Sequence, residues 1–426
     1  LHLELEVDGV VLLAGRCAVR LRDLETERAQ SEQVQAARAA VPSTTSTVSP
    51  LAVSPGPLDS VWLEGLRWSL VERSRDPAAD LRVRIAAGLV LGELGDPRLK
   101  RRKGAHGDCL VPPLVTLPAG AHRLGDDRLE AGRDVQLTAF AIGALEVSNA
   151  EWACFMAGGG YEDLRWWDTP AARDWQQGLT TADDTAAQAR TATARFRANP
   201  AELDRLFNEG HMAEDWYALF RRRITMDPPD LEAHLAQMYP GGRLTAPRFW
   251  QDPAFNNPAQ PVVGISWFEA RAYTLWLAAQ TGEPYRLPTE LEWEAAARGA
   301  GGQPFADDDA SEACGANTSE LHVWRPSPMG VFPAGDTPEG VADLCGNVWE
   351  WTSSVFGADA DHPLYAVPRL QGTEVEAEDP GASPQLRRVA RGGAWDSPRS
   401  VAMAWVRDAV LPGGRDAGYG MRVGWG

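Results

Sequence analysis

The stretch Pro261–Gly299, PVVGISWFEARAYTLWLAAQTGEPYRLPTELEWEAAARG, contains two helix starts of the same grammar. Ser266-Trp267-Phe268-Glu269 has the Ser-x-x-Glu form in which the cap hydroxyl and the acidic side chain satisfy each other's backbone amides, predicting a helix to about Gln280. Thr289-Glu290-Leu291-Glu292, placed behind Pro288, predicts a second helix to Arg298, with Gly299 beyond its end. A third box, Ser148 to Glu151, opens a short helix through Trp152 and Phe155 that halts at Gly158-Gly159-Gly160. Such boxes mark helix starts and carry no catalytic information. Glu290, Glu292 and Glu294 fall in the first turns, where the helix dipole favours carboxylates, so they read as helix-start charges and not as an acid–base cluster.

Upstream of these helices, LVTLPAGAHRLG (Leu114–Gly125) and VQLTAFAIGALEVS (Val135–Ser148) read as strands with Gly, Pro and Asp turns between them. Residues 162 to 243 are helical in pattern and charged, with no strand alternation, and read as an insertion in a strand-rich domain spanning 110–426. Residues 1–105 form a helical segment interrupted by a Pro/Ser/Thr linker at 41–57. Within that segment, Val10 to Leu21 and Leu24 to Ala40 read as helix. Leu63, Leu66 and Leu70 begin a hairpin whose second helix covers Asp80 to Leu94. The basic run Lys100 to Lys103 reads as solvated linker. After Gly299 the chain turns to coil, and long ordered coil needs a metal or dense polar pairing to hold it.

The chain has 426 residues, 17 of them Trp, with 59 acidic against 41 basic residues for a net charge of −18. That balance opposes broad nucleic-acid binding. No apolar run reaches the roughly 18 residues of a membrane span, and no secretory signal pattern is visible, so the cytoplasm is the expected compartment. The five cysteines lie far apart, which suits a reducing compartment. Zinc-finger spacing, HExxH, CxxC, GxSxG and the phosphate-binding GxxxxGK[ST] loop are all missing from the sequence.

Taken together, Pro261–Gly299, GVADLCGNVWEWTSS (Gly340–Ser354), RGGAW (Arg391–Trp395) and GYGMRVG (Gly418–Gly424) resemble the formylglycine-generating enzyme, or sulfatase-modifying-factor, family. LVTLPAGAHRLG and FAIGALEVSNAEWACFM match that family's opening strands. The resemblance implies an α+β, C-type-lectin-like fold with small twisted antiparallel sheets, two helices and much ordered coil. It also implies a structural calcium ion on the GNVWEW loop, held by the Asp343 and Glu350 side chains and the carbonyls of Gly346 and Val348. The bland alternative is that Asp343 caps the turn and Glu350 pairs with an arginine. The tryptophans on the matched helices and loops (Trp267, Trp276, Trp293, Trp349, Trp351, Trp395 and Trp405) then belong to the scaffold.

One departure bears on function. The family's oxidases hold copper on a cysteine pair after the RGG motif, and here those positions are Ser397 and Ala402, with no cysteine after Cys345. Soft copper needs sulfur ligands, so no copper is expected. A branch that uses iron on a histidine cluster in an added helical domain finds only His2 and His106 in the N-terminal part. The C-terminal segment instead resembles the variable protein of a diversity-generating retroelement. Arg407, Pro412, Arg415, Gly420 and Arg422 keep the family spacing while the residues between them differ. The expectation is therefore a non-enzymatic binding protein that presents Asp396, Ser397, Ser400, Ala404, Val406, Asp408, Ala409, Val410, Leu411, Gly413, Gly414, Asp416, Ala417, Gly418 and Tyr419 to a protein or other macromolecular ligand. Two alternatives are an enzyme of the same family with a different active site and a drifted regulatory paralogue.

Overall fold

The computed structural model describes residues 60–125, 132–181, 183–299, 315–356 and 383–426, with a few isolated positions outside them. The helices expected before residue 41 and the linker at 41–57 lie outside the described residues. Chain contacts divide the protein into Leu1–Pro97 and Arg98–Gly426. In the first unit, α1 (Ser60–Ser74) and α2 (Leu81–Leu94) form the expected hairpin. Leu66, Leu70, Ala87, Leu91 and Leu94 fill its seam, and the Asp80 side chain caps α2 by accepting from the Arg82 amide.

The second unit opens with a hairpin of β1 (Lys100–Gly104) and β2 (Gly107–Val111). The basic run read as a linker is therefore an exposed strand, because the turn before Gly107 brings back Cys109, Leu110 and Val111 of β2 as its pairing partner. The strands β3 (Leu114–Leu117), β4 (Gly120–Leu124), β5 (Arg133–Leu137) and β6 (Phe140–Gly143) follow, and then α3 (Asn149–Ala157). The insertion supplies α4 (Pro170–Gln176), α5 (Asp183–Ala198), α6 (Pro200–Asn208), α7 (Glu214–Thr225) and α8 (Pro228–Met238). Beyond it come α9 (Trp267–Thr281), β7 (Tyr285–Arg286), α10 (Glu290–Arg298) and β8 (Trp349–Val355). The chain ends with a two-residue ribbon, β9 (Leu370–Gln371) and β10 (Glu374–Val375), and with β11 (Arg388–Arg391), β12 (Arg407–Val410), β13 (Tyr419–Met421) and β14 (Gly424–Trp425).

All three predicted capping boxes are formed, at Ser148/Glu151, Ser266/Glu269 and Thr289/Glu292. Two small sheets frame the domain. One has the order β3-β6-β14-β7; the other has β12-β11-β8-β13, in which only β13 and β8 run parallel. The indole N–H groups tie coil to these sheets: Trp267 donates to the Thr352 carbonyl (2.8 Å), Trp351 to Ile265 (3.0 Å) and Trp395 to Ala417 (3.1 Å). Trp267, Trp276, Trp293 and Trp351 are fully buried, and Trp349, Trp395 and Trp405 are buried too. At Trp267, Trp351 and Trp395 a buried indole both fills volume and bonds its one donor to a coil or strand carbonyl, which is how wide coil can be held in place.

The glutamates of α10 are more than helix-start charges. Glu290 takes the Arg407 guanidinium through two bonds (2.6 and 2.8 Å) and also accepts from Arg391 (3.1 Å). Glu294 accepts from Arg391 (3.0 Å) and Arg298 (2.9 Å). All of these side chains are buried. The helix-dipole reading missed them because the arginines that pair with α10 come from strands about a hundred residues further on. Replacing Glu290 by Gln strips both Arg391 and Arg407 of a buried counter-charge. Denaturant titration of E290Q should show a loss of about 3–5 kcal/mol, as for other broken buried pairs. A loss within experimental error would mean that these arginines are solvated elsewhere.

Candidate active site between the helical insertion and the C-terminal segment

After β11 the chain runs through coil to β12, then through a loop over 411–418 to β13, carrying the residues expected on an open binding face. The insertion covers much of that face. The Gly413 amide donates to the Asp184 carboxylate on α5 at 2.7 Å, and a Cβ at Gly413 would stand 2.6 Å from that oxygen. A Cβ at Gly414 would meet the Gln188 amide at the same distance. Ala404, Val406, Val410 and Ala417 are buried in apolar clusters, and Ser397, Gly413, Gly414 and Gly418 are buried as well. Of the fifteen positions, only Ser400 is fully exposed, while Asp396, Asp408, Ala409, Leu411, Asp416 and Tyr419 are partly so. The expectation of a continuous displayed surface, with Val410-Leu411 as an exposed apolar pair, is therefore corrected: close packing against α5 and the core excludes free variation at most of these positions.

What remains open is a cavity of about 470 Å³. One wall is the C-terminal segment, with Asp408, Leu411, Asp416 and Tyr419. The other is the insertion, with Arg195, Trp216, Phe220, Arg223 and Tyr239; Arg248 and Arg387 complete the lining. The insertion residues were missed by sequence reading, although Trp216, Phe220 and Arg223 recur at i, i+4 and i+7, one stripe of α7.

Two carboxyls of this segment, Asp396 and Asp416, are electrostatically perturbed. Burial, followed by the neighbouring Asp416 carboxylate, pushes the Asp396 carboxyl up to about 7. Burial also raises Asp416, against the opposing pull of the Arg248 guanidinium. The Tyr419 hydroxyl donates to Asp408, and burial with that carboxylate keeps it protonated, well above its ordinary range. The Tyr419 ring stacks on Trp349 at 16°. Asp396 and Asp416 thus form a like-charge pair able to hold a proton near neutral pH, beside a hydroxyl fixed as a donor.

A structural calcium on the GNVWEW loop does not fit the side chains present. Glu350 receives two bonds from Arg422 (2.6 and 2.7 Å) and one from the Trp293 indole (2.7 Å), while Asp343 accepts from the Gly330 amide. Gly346 donates its amide to Gly392, and Val348 is fully buried. Burial and then Asp343 push the adjacent Glu146 carboxyl well up, favouring its neutral form. The Arg422 guanidinium takes the role a hard cation would have, and three of the acceptor positions of Glu350 are already used by Arg422 and Trp293. Among the described residues, no three His, Cys, Asp or Glu side chains converge as a metal site.

The fold and this site define a lectin-like α+β domain in which coil, not regular structure, carries the functional face. The chain belongs to the sulfatase-modifying factor enzyme 1-like domain family, whose model matches residues 103–425. It is 27% identical over 379 residues to the hercynine oxygenase of Mycolicibacterium smegmatis, an alignment that covers 85% of this chain and 72% of that protein. The chain spans about half the length of two other proteins of that name, 52% and 53%. It is 30% identical over 265 residues to the formylglycine-generating enzyme of Mycobacterium tuberculosis, covering 58% of this chain and 75% of the relative. Among solved structures, Treponema denticola variable protein 1 overlays with a TM-score of 0.44 at 16% identity, over 77% of this chain and 99% of the other.

These relatives overturn the expectation of a non-enzymatic protein. Relatives named as a hercynine oxygenase and as a formylglycine-generating enzyme match this chain, so the absence of the family's copper-binding cysteines is no ground for calling it non-enzymatic. No helix among the described residues is long and apolar enough to cross a membrane.

Two measurements probe this region. The folded state binds the Asp396 proton more tightly than the unfolded chain, whose carboxyl titrates near its ordinary 3.8. The resulting stability is fully present below that value and is lost as pH rises through about 7. Asp396→Asn should flatten this slope and stabilise the protein above neutrality, and Asp416→Asn should lower the Asp396 midpoint in a carboxyl-detected NMR titration. An Asp396 midpoint at the ordinary carboxylate value would refute the pairing. Chelation with EDTA should leave the melting temperature unchanged; a fall accompanied by stoichiometric calcium release would restore the metal reading.

Proposed function

We propose that this chain is an enzyme of the sulfatase-modifying-factor family that transforms a small molecule in the cavity between the insertion and the C-terminal segment. The observation that carries this reading is the convergence there of a proton-holding carboxylate, Asp416, with the Tyr419 hydroxyl fixed on Asp408 and arginines on the facing wall. A group whose proton affinity is moved toward neutral pH is suited to general acid–base work. Asp416, with Asp396 behind it, would hold or accept the proton. Tyr419, whose proton is held by Asp408, would accept a hydrogen bond from the bound molecule through its hydroxyl oxygen. A cavity of about 470 Å³ matches a small-molecule site, and the insertion narrows access for a folded protein substrate. The relative with the longest reported alignment bears the name of an oxygenase of hercynine, which supports a small-molecule reading over modification of a sulfatase.

The test is metabolite profiling: the purified chain is incubated in air with a bacterial small-molecule extract, with hercynine, and with a cysteine-containing sulfatase peptide. A small molecule consumed by the wild type and spared by Asp416→Asn and Tyr419→Phe is the expected result. Oxidation of the peptide, or consumption equal in the wild type and both variants, would place the chemistry elsewhere. No turnover of any small molecule would defeat the proposal.

A further inference from the structure

The buried arginines of this domain are, as a rule, paired. Arg298 sits on Glu294, Arg391 on Glu290 and Glu294, Arg407 on Glu290, Arg415 on Glu269 and Arg422 on Glu350. Arg388 donates to the Ser353 carbonyl and lies over the Trp267 ring, and Arg223, on the insertion wall of the cavity, is built differently from the paired ones. It is fully buried, yet no carboxylate among the described residues lies within ion-pairing distance of it. Its guanidinium donates to the Tyr239 hydroxyl at 3.1 Å, lies against the rings of Phe220 and Tyr239, and leaves Nε without a partner. A buried cation with neither a counter-ion nor a complete set of hydrogen bonds is costly, and the cost is recovered when an anion arrives.

Arg248 adds to this. It lies over the Tyr239 ring at 4.6 Å on the same cavity and donates to the Arg415 carbonyl. In a chain of net charge −18, the cavity is lined by four arginines and two aspartates, of which Arg195 alone among the arginines is neutralised by a glutamate, Glu202. The rings of Trp216, Phe220 and Tyr239 share the insertion wall with Arg195 and Arg223 and are suited to an apolar body.

We propose that Arg223 anchors a carboxylate of the substrate, so that the molecule accepted by the cavity is a small organic carboxylate whose apolar body packs on Trp216, Phe220 and Tyr239. The planar guanidinium matches a carboxylate through parallel N–H donors, and the aspartates opposite repel the anion toward the insertion wall. This assignment rests on the cavity being the substrate site.

The experiment is calorimetric titration of the full chain with phenylacetate, phenylacetamide and phenyl phosphate. Phenylacetate should bind, and the amide should bind at least roughly tenfold more weakly, the size of a lost charge-assisted bond. Arg223→Met should erase the preference for the acid without weakening amide binding, and Arg223→Lys should restore part of it. Should Arg223→Met fail to fold, the wild type still decides. Burial first, and then Arg223 and Arg222, hold the His234 imidazole below its ordinary value. Saturating phenylacetate should therefore raise the His234 midpoint followed by NMR. Equal binding of acid and amide, no binding of the acid, or an unchanged His234 midpoint would overturn the anchor. Preference for phenyl phosphate would replace the carboxylate by a phosphate. Binding is read without turnover, so an inactive protein that still selects the acid through Arg223 would sink the enzyme reading alone.

Discussion

The Glu290 carboxylate is the constraint on which the rest of the domain depends. It stands at the first turn of α10 and holds Arg407 at the start of β12 together with Arg391 at the end of β11. Those two strands bracket the fifteen residues of coil from Gly392 to Val406, and they set where the loop at 411–418 begins. A short sheet of four-residue strands has few ladder bonds to fix its position. A buried bidentate pair fixes it by charge and geometry together. Glu269 repeats the device at the far side of the loop, where it holds Arg415 and the Tyr161 hydroxyl. Both glutamates belong to the first turn of a helix, so each helix start positions one end of the C-terminal segment.

The helix starts were legible because a capping box is a local signal: four consecutive residues state their own hydrogen bonds. The scaffold role of the tryptophans was legible as well, since seven of them fell on matched motifs and all seven are buried. The ion pairs were not legible. Glu290 and Arg407 are 117 positions apart, and no spacing rule connects a helix start to a strand end at that distance. The motif Glu350 was assigned to a metal by resemblance, but Arg422, 72 residues later, takes its carboxylate here. The bland reading of that residue, pairing with an arginine, was the physical one.

The candidate site was half legible. Asp408, Asp416 and Tyr419, read from the sequence as contact positions of an open binding face, line the cavity against the insertion. The wall opposite them lies in the insertion, which sequence pattern separates from the domain and three-dimensional packing returns to it. Gly413 shows why: its amide is bonded to Asp184 of α5, and its lack of a side chain permits that approach. An insertion pinned to the C-terminal loop at such close range turns an exposed face into an enclosed one. The small residues there are the signature of contact and not of variability.

The same contrast separates scaffold from site by charge. In the scaffold, glutamates and arginines cancel each other at hydrogen-bond distance, as Glu290 does with Arg391 and Arg407 and Glu350 does with Arg422. In the cavity Arg195 is paired with Glu202, but Arg223 and Arg248 lack a carboxylate at pairing distance among the described residues, and Asp416 on the facing wall is a neighbour of the Asp396 carboxylate, which it pushes up. A chain that pairs buried arginines with glutamates at so many other places has the means to pair Arg223 too. That it stays open, at the edge of a cavity, is the ground for reading it as a binding position and not a structural one, because unpaired charge persists in a stable fold where a ligand supplies the missing partner.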